Sequence, residues 1–146
     1  MRHIVVGFSL LLMITALGSC ASPPEKRIVG EWEGTDHTGV TATLVFSADG
    51  SAKMIQGEVV LDGSSIGGTV TWRMDAEQDP IHLDLVLTDA FGESQVLPMI
   101  VRFRSDTSID LRKSEDGVVR PSTFSDADTE NQITLTKQAV STHPEE

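Results

Sequence analysis

Cysteine and tyrosine are the scarcest residues of this chain: Cys20 is the single cysteine, and tyrosine is absent. One thiol excludes an intramolecular disulfide. Aromatic residues make up only 5% of the chain, so a core must consist mainly of Val, Ile, Leu and Met. Basic residues are also few, since 11 Lys and Arg stand against 22 Asp and Glu. This acidic balance argues against electrostatic binding to nucleic acid or to an anionic membrane surface.

The cysteine ends an apolar segment at the start of the chain. Residues 4–17 follow Arg2 and are short for the roughly 20 residues of a membrane-spanning helix, as is typical of a signal-peptide core. The run Leu17-Gly18-Ser19-Cys20 resembles the lipobox of bacterial lipoprotein precursors. That resemblance implies cleavage before Cys20, lipidation of its thiol and attachment to the membrane outside the cytoplasm. Cleavage by ordinary signal peptidase and an uncleaved anchor are the alternatives.

Lipoprotein processing would leave 127 residues with a formal charge of −12, because residues 1–19 contain one basic residue and no acidic one. This length suits one domain. Ala21 follows the cysteine where aspartate resembles an inner-membrane retention signal, which favours the outer membrane in a cell with two membranes. The expected organisation is a signal peptide (1–19), a lipidated cysteine and flexible tether (20–27), a β domain (28–138) and a flexible tail (139–146).

From residue 28 onward, apolar and polar residues alternate with a period of two between turn sequences. This pattern predicts about eight β-strands and no helix. Short Asp/Gly turns join most of them, and short connections require antiparallel neighbours. We therefore expect an all-β, antiparallel up-and-down meander that forms a closed or partly open barrel. A two-sheet β-sandwich is the alternative, and Pro98 is expected at a strand start, an edge or a bulge.

The inward positions of this pattern predict an apolar barrel interior. Eight strands leave room for packed side chains or for one small ligand. A cavity of this composition would suit a lipid, a fatty acid or another hydrophobic guest; otherwise the side chains fill the barrel. The candidate lining residues are Leu44, Met54, Trp72, Met74, Leu83, Leu85, Val101 and Phe103.

Three motifs in order resemble a known family. Gly30-Glu31-Trp32 resembles the Gly-x-Trp signature of lipocalins and other calycins, which are meandering antiparallel barrels. Together with Asp79-Pro80-Ile81-His82-Leu83-Asp84-Leu85 and Arg120-Pro121-Ser122-Thr123-Phe124, it is similar to small bacterial lipocalin-like proteins of unassigned function, common in planctomycetes. The resemblance spans residues 30–124. It implies a fold and no particular chemistry.

The motif residues are expected to have structural roles. Trp32 would close one end of the barrel, and Gly30 would let another chain segment approach its backbone. In lipocalins a basic side chain often covers this tryptophan through a cation–π contact. Arg120 is the first candidate and Lys137 the second, because a guanidinium stacks better on a ring. The residues assigned to this structural motif are Gly30, Trp32, Pro80, Arg120, Pro121 and Phe124.

The sequence gives little support for catalysis, and we expect no enzymatic activity, no cofactor and no metal. The sequence contains no His-x-x-x-His or phosphate-loop pattern. His82 and Asp84 share a strand face, so an acid–base or metal pair is one alternative to an exposed strand pair. Acidic clusters at residues 75–79 and 126–130 offer oxygen ligands for calcium, but they lack the defined loop spacing.

Two functional hypotheses follow from the expected membrane localisation and the expected barrel fold. The first is a lipid-anchored, extracytoplasmic, lipocalin-like binding module for a small hydrophobic ligand or envelope lipid. The alternative is a structural or interaction lipoprotein whose solid barrel contacts another envelope protein. In both, the membrane is reached through the lipid anchor, and nucleic acid is not a partner.

Overall fold

A computed structural model describes residues 21–140. The predicted signal peptide, Cys20 and residues 141–146 of the tail lie outside the described residues. The described part contains nine strands and two short helices. They are α1 (Pro24–Ile28), β1 (Gly30–Thr35), β2 (Thr41–Phe46), β3 (Ala52–Gln56), β4 (Val59–Leu61), α2 (Gly63–Ile66), β5 (Thr69–Asp75), β6 (Ile81–Thr88), β7 (Ser94–Phe103), β8 (Ser108–Lys113) and β9 (Gln132–Lys137). Neither helix is long or apolar enough to cross a membrane.

The strands form one sheet in the order β4-β3-β2-β1-β9-β8-β7-β6-β5, and its ladders are antiparallel. The first and last strands pair, with Trp32 opposite Lys137. The sheet nearly closes where Ser51, just before β3, bridges Thr71 on β5. The prediction of an all-β, antiparallel, partly open barrel is thereby confirmed.

The strand β4 is the one that the sequence pattern did not predict. Both β4 and β5 run antiparallel to β3, so β4 and β5 are parallel to each other. They are therefore not successive antiparallel strands of the meander. Eight strands therefore make up the barrel wall, and β4 is a short edge strand added to the end of β3. Its Val59 and Val60 are exposed.

The helix α1 replaces part of the expected flexible tether. Pro24 occupies the start of the helix, where its fixed φ suits the first turn and its missing N–H removes no bond. Arg27 stacks over Phe103 with 4.1 Å between the guanidinium carbon and the ring centroid, and Ile28 is fully buried. The expectations of a tether as far as residue 27 and of a helix-free mature chain were therefore wrong.

Pro98 lies inside the central strand β7 and is buried, not at a strand start, an edge or a bulge. Its carbonyl oxygen accepts a hydrogen bond from the backbone N–H of Ser114, which follows the last residue of β8. In a hydrogen-bonded antiparallel pair, the N–H and C=O of one residue face the same neighbour. The side of Pro98 that lacks an N–H therefore faces the point at which β8 has ended. The ladder between β6 and β7 keeps all its hydrogen bonds.

The barrel has two distinct ends. The proximal end is the one at which the chain enters through α1, beside the β2–β3, β5–β6 and β7–β8 turns. The distal end carries the β1–β2 and β6–β7 turns and the long connection between β8 and β9, residues 114–131. Inward side chains fill the barrel between these ends, and the largest of those that are fully buried are Trp32, Phe46, Leu83, Leu85, Ile109 and Leu135.

Candidate functional site

Trp32 closes the proximal end of the barrel. Its side chain is fully buried, and its indole Nε1–H donates to the carbonyl oxygen of Ile28 at 2.7 Å. The ammonium group of Lys137 lies over the ring, with 5.3 Å between Nζ and the centroid. The same group donates to the carbonyl oxygen of Arg27 at 2.9 Å. One lysine therefore joins the tryptophan, the last strand and the end of α1.

The basic residue over Trp32 is thus Lys137, and the preference for Arg120 was wrong. Lys137 faces Trp32 directly in the β1–β9 register, whereas Arg120 lies on the outside of the barrel with Asp84. Gly30 makes room for the lysine: a Cβ at this position would lie 2.6 Å from the Lys137 Cε. Its φ of +139° is also a conformation that favours glycine.

A small cavity opens at the distal end of the barrel. Its volume is about 90 Å³, whereas ligand pockets usually measure about 300–1,000 Å³. The apolar floor comes from strands β2, β3, β7, β8 and β9, and polar side chains surround the mouth. The floor residues are Ala42, Leu44, Met54, Met99, Leu111 and Ile133, and the mouth carries Asp36, Gln56, Lys113, Glu130 and Asn131. Such a space admits an apolar group of a few atoms and not a whole lipid.

Asp36 lies at the opening of this cavity and accepts several hydrogen bonds there. Its carboxylate accepts from the hydroxyl of Thr38 at 2.6 Å and from the side-chain amide of Gln56 at 2.7 Å. A further hydrogen bond comes from the backbone N–H of Val40. These bonds hold the pKa of Asp36 well below its ordinary value, with those from Thr38 and Gln56 contributing most. The carboxylate therefore stays charged and fixes the β1–β2 turn beside the opening.

The residues predicted to line a cavity separate into two groups. Leu44 and Met54 line the distal cavity. The others belong to the packed interior or its margins, and they are Trp72, Met74, Leu83, Leu85, Val101 and Phe103. Among the latter, Leu83, Leu85 and Val101 are at most 1% exposed, so side chains occupy the space that a large ligand would need.

Trp72 and Phe103 mark the edges of this packed region. The Trp72 indole Nε1–H donates to the carbonyl oxygen of Ser47 at 2.9 Å, and its ring meets Phe46 edge-on at 5.9 Å between centroids. Trp72 thereby ties β5 to the β2–β3 turn across the opening of the sheet. Phe103 lies at the proximal rim, where it supports the Arg27 guanidinium.

The outer wall of the barrel holds a buried carboxylate, Asp84. Arg73 Nε donates to one carboxylate oxygen at 2.8 Å, and Arg120 Nη2 donates to the other at 2.7 Å. Arg120 Nη1 also donates to the carbonyl oxygen of Met99 at 2.7 Å. The Arg120-Pro121 motif therefore fastens the 114–131 connection onto the outside of β6 and β7. His82 has no hydrogen bond with Asp84 within residues 21–140, so the two residues do not form an acid–base pair.

A second carboxylate, Asp110, is fully buried on the same outer wall. It accepts hydrogen bonds at 2.7 Å from Arg102 Nε, Arg104 Nε and the hydroxyl of Thr134. Burial raises the pKa of Asp110, but the bonds from Arg104, Thr134 and Arg102 outweigh burial and hold the pKa below its ordinary value. The bond to Asp110 in turn raises the pKa of Arg104. This cluster joins β7, β8 and β9.

The sequence-based reasoning did not single out the Asp110 cluster. The available signal was the outward position of Arg102 and Arg104 on one predicted strand and of Asp110 on the next. Opposite charges on neighbouring strands form cross-strand pairs, and Arg102 does face Asp110 in the register. The alternation marked these residues as polar and outward, which made them look exposed.

A larger depression, the proximal groove, lies at the rim between α1, β6, β7 and the 114–131 connection. Its volume is about 630 Å³. Arg102 stacks over Phe124 with 4.4 Å between the guanidinium carbon and the ring centroid, in the same manner as Arg27 over Phe103. The groove is defined by Arg27, Pro80, Arg102, Phe103, Ser122, Thr123 and Phe124. It brings together residues from two of the three sequence motifs.

The acidic clusters considered for calcium are engaged in local bonds. Asp75 accepts from the backbone N–H of Glu77 at 3.1 Å within its own turn. Asp128 binds Arg112 Nη2 at 2.7 Å, and Arg112 lowers the pKa of this carboxyl group. Within residues 21–140, no group of three or more His, Cys, Asp or Glu side chains is placed to hold a metal ion.

Comparison with known proteins finds no matching family model, no matching curated protein and no matching solved structure. Membership of the lipocalin-like family therefore remains a prediction from the three sequence motifs.

Proposed function

We propose that this chain is a lipid-anchored, extracytoplasmic, lipocalin-like lipoprotein that acts as an interaction module. Its solid barrel is a scaffold whose outer surface meets another component of the cell envelope. The observation that carries this proposal is the filled interior: Trp32, Leu83 and Leu135 are each 0% exposed. No catalytic step is proposed.

The filled interior favours this reading over transport of a whole lipid. The distal cavity of about 90 Å³ is smaller than an engineered cavity of about 150 Å³ that binds benzene. Enlarging it would require displacement of packed side chains, and close-packed interiors resist such changes. The outer wall, in contrast, offers rigid surfaces that the Asp84 and Asp110 clusters hold in place.

The predicted anchor sets the orientation of this scaffold. Three residues lie between Cys20 and Pro24, and the four residue steps of an extended chain between them span at most about 14 Å. A lipidated Cys20 would therefore hold the proximal end near the bilayer and turn the distal end away from it. Ala21 after the cysteine favours the outer membrane in a cell with two membranes.

A second candidate function is binding of a small apolar group in the distal cavity. The specific observation in its favour is the floor of Leu44, Met54 and Met99 beneath a polar mouth. Methionine side chains adapt their shape readily, so the cavity suits the end of a hydrophobic chain or an apolar side chain of a partner. This function would also leave the rest of the barrel solid.

Native mass spectrometry of residues 21–146, prepared without detergent, separates the two candidates. The interaction module is expected to give the mass of the protein alone, and to associate with an envelope protein through the outer wall. A small molecule that co-purifies reproducibly, and that is lost when Met54→Phe fills the cavity, would replace the first candidate with the second. Leu61→Phe, at a partly buried position outside the cavity lining, is the control.

A further inference from the structure

We propose that the proximal groove is a binding site for a phosphate group. Two arginine side chains line it, Arg27 and Arg102, and the guanidinium carbon of each lies over a phenylalanine ring. Stacking fixes the plane of a guanidinium and leaves its N–H edge free to meet an anion. The groove volume of about 630 Å³ lies in the range of small-molecule sites.

Both guanidinium groups keep donors that nothing else uses. Arg102 bonds Asp110 through Nε, and its two Nη groups have no hydrogen-bond partner among residues 21–140. The Nη2 of Arg27 lies 3.2 Å from Oδ1 of Asp106 and donates to the carbonyl oxygen of Ser105 at 3.5 Å, whereas its Nη1 has no hydrogen-bond partner in the described part of the chain.

Hydroxyl groups complete the donor set. Ser122 and Thr123 line the groove, and neither hydroxyl makes a hydrogen bond within residues 21–140. The remaining guanidinium N–H groups and the two hydroxyls suit the several acceptor oxygens of a tetrahedral phosphate better than the two oxygens of a carboxylate. Asp79 also lines the groove, and its negative charge weakens the attraction of the two arginines for an anion.

The strongly acidic surface limits the attraction of an anion to short range. A net charge of −11 repels anions at long range, so binding depends on the short contacts of the stacked arginines. The groove lies at the proximal end of the barrel, beside α1. A phospholipid headgroup and a soluble phosphate ester therefore present the same chemistry to it, and the experiment below distinguishes these two sources.

The test uses the full chain in an uncharged maltoside detergent, with ¹⁵N-labelled arginine observed by NMR. One arm adds glycerol 3-phosphate, and the other adds phosphatidylglycerol. The Nε–H signals of Arg27 and Arg102 are expected to shift with saturation. Response to glycerol 3-phosphate assigns the site to soluble phosphate esters, and response to phosphatidylglycerol alone assigns it to a lipid headgroup.

Matched variants test whether the phosphate binds in the proximal groove. Arg27→Gln and Arg102→Gln are each expected to weaken binding by about ten- to a hundredfold, the usual effect of losing a charge-assisted hydrogen bond. Arg73→Gln is the control, because Arg73 also pairs with an outer-wall aspartate but lies outside the groove. If Arg102→Gln does not fold, Arg102→Lys keeps the charge and loses the fork, and it is expected to weaken binding in the same direction. Absence of a saturating shift with both probes, or equal weakening in Arg73→Gln, would overturn the proposal.

Discussion

Arg120 binds Asp84 on the outside of the barrel, with 2.7 Å between Nη2 and Oδ1. Asp84 is also bound by Arg73, but the two arginines differ in their surroundings: the side chain of Arg120 is 24% exposed and that of Arg73 is 64% exposed. The same carboxylate thus has a sheltered partner and a solvated one. Asp84 and Arg120 hold the 114–131 connection against the wall.

This difference predicts unequal effects on stability. Arg120→Ala should lower the free energy of unfolding by about 2–4 kcal/mol, because it leaves Asp84 buried with one partner fewer and releases the Met99 carbonyl oxygen. Arg73→Ala should cost at most about 1 kcal/mol, as is usual for an exposed pair. Denaturant unfolding of both variants measures the difference, and equal losses would contradict the assigned role of Arg120.

The closed proximal end predicts a large effect of truncating Trp32. Trp32→Ala removes a fully buried ring and its hydrogen bond to Ile28, so it should lower the free energy of unfolding by about 3–5 kcal/mol. The melting temperature should fall by at least several degrees. Trp72→Ala is the comparison, since Trp72 is only partly buried and should cost less. An unchanged melting curve for Trp32→Ala would remove the proposed closing role.

The buried Asp110 predicts a pH-dependent loss of stability in acid. Its pKa is lower in the folded chain than the ordinary value of 3.8. As the pH falls below that value, the unfolded chain takes up the proton first, so the contribution of Asp110 is lost as the pH falls through the lowered pKa. Asp110→Asn should flatten the slope of unfolding free energy against pH below the ordinary Asp pKa of 3.8. Denaturant unfolding across this range checks it, and parallel curves for the two proteins would be the contrary result.

The lipobox-like motif predicts a membrane localisation that depends on the thiol of Cys20. Wild type should fractionate with membranes and carry acyl chains, of which two or more are needed for stable anchoring. Cys20→Ser should abolish acylation and, because acylation precedes cleavage in the pathway that the motif resembles, should leave the protein at its full-length mass. Membrane fractionation with mass measurement tests this, and Ala21→Ser is a control that keeps the thiol. A wild-type protein that fractionates with membranes but carries no acyl mass would show that lipid is not the anchor.

The period-two pattern was sufficient to predict the barrel because inward positions must be apolar wherever a sheet closes on itself. It identified Leu44, Leu83 and Val101 as interior residues, and all three are buried. It missed β4 because that strand has three residues, too few to show alternation. It missed α1 because a five-residue helix beginning at a proline reads as a tether in sequence.

Contacts between distant segments could not be read from the chain. The choice of Lys137 over Arg120 as the cover of Trp32 depends on the β1–β9 register, which joins opposite ends of the domain. The burial of Asp84 and Asp110 depends on strand pairing and, for Asp84, on the 114–131 connection lying against the outer wall. Alternation places a residue inside or outside the barrel, but it does not show which segments cover the outside.

The central claim is that the barrel is solid, and its most direct test is a titration with fatty acids of increasing chain length. Binding to residues 21–146 would be followed through the fluorescence of Trp32 and Trp72, the only two tryptophans, and by calorimetry. A cavity of about 90 Å³ predicts no saturable binding of a 16-carbon acid, with at most weak binding of the shortest guests. Saturable micromolar binding of the 16-carbon chain, abolished by Met54→Phe, would contradict the claim.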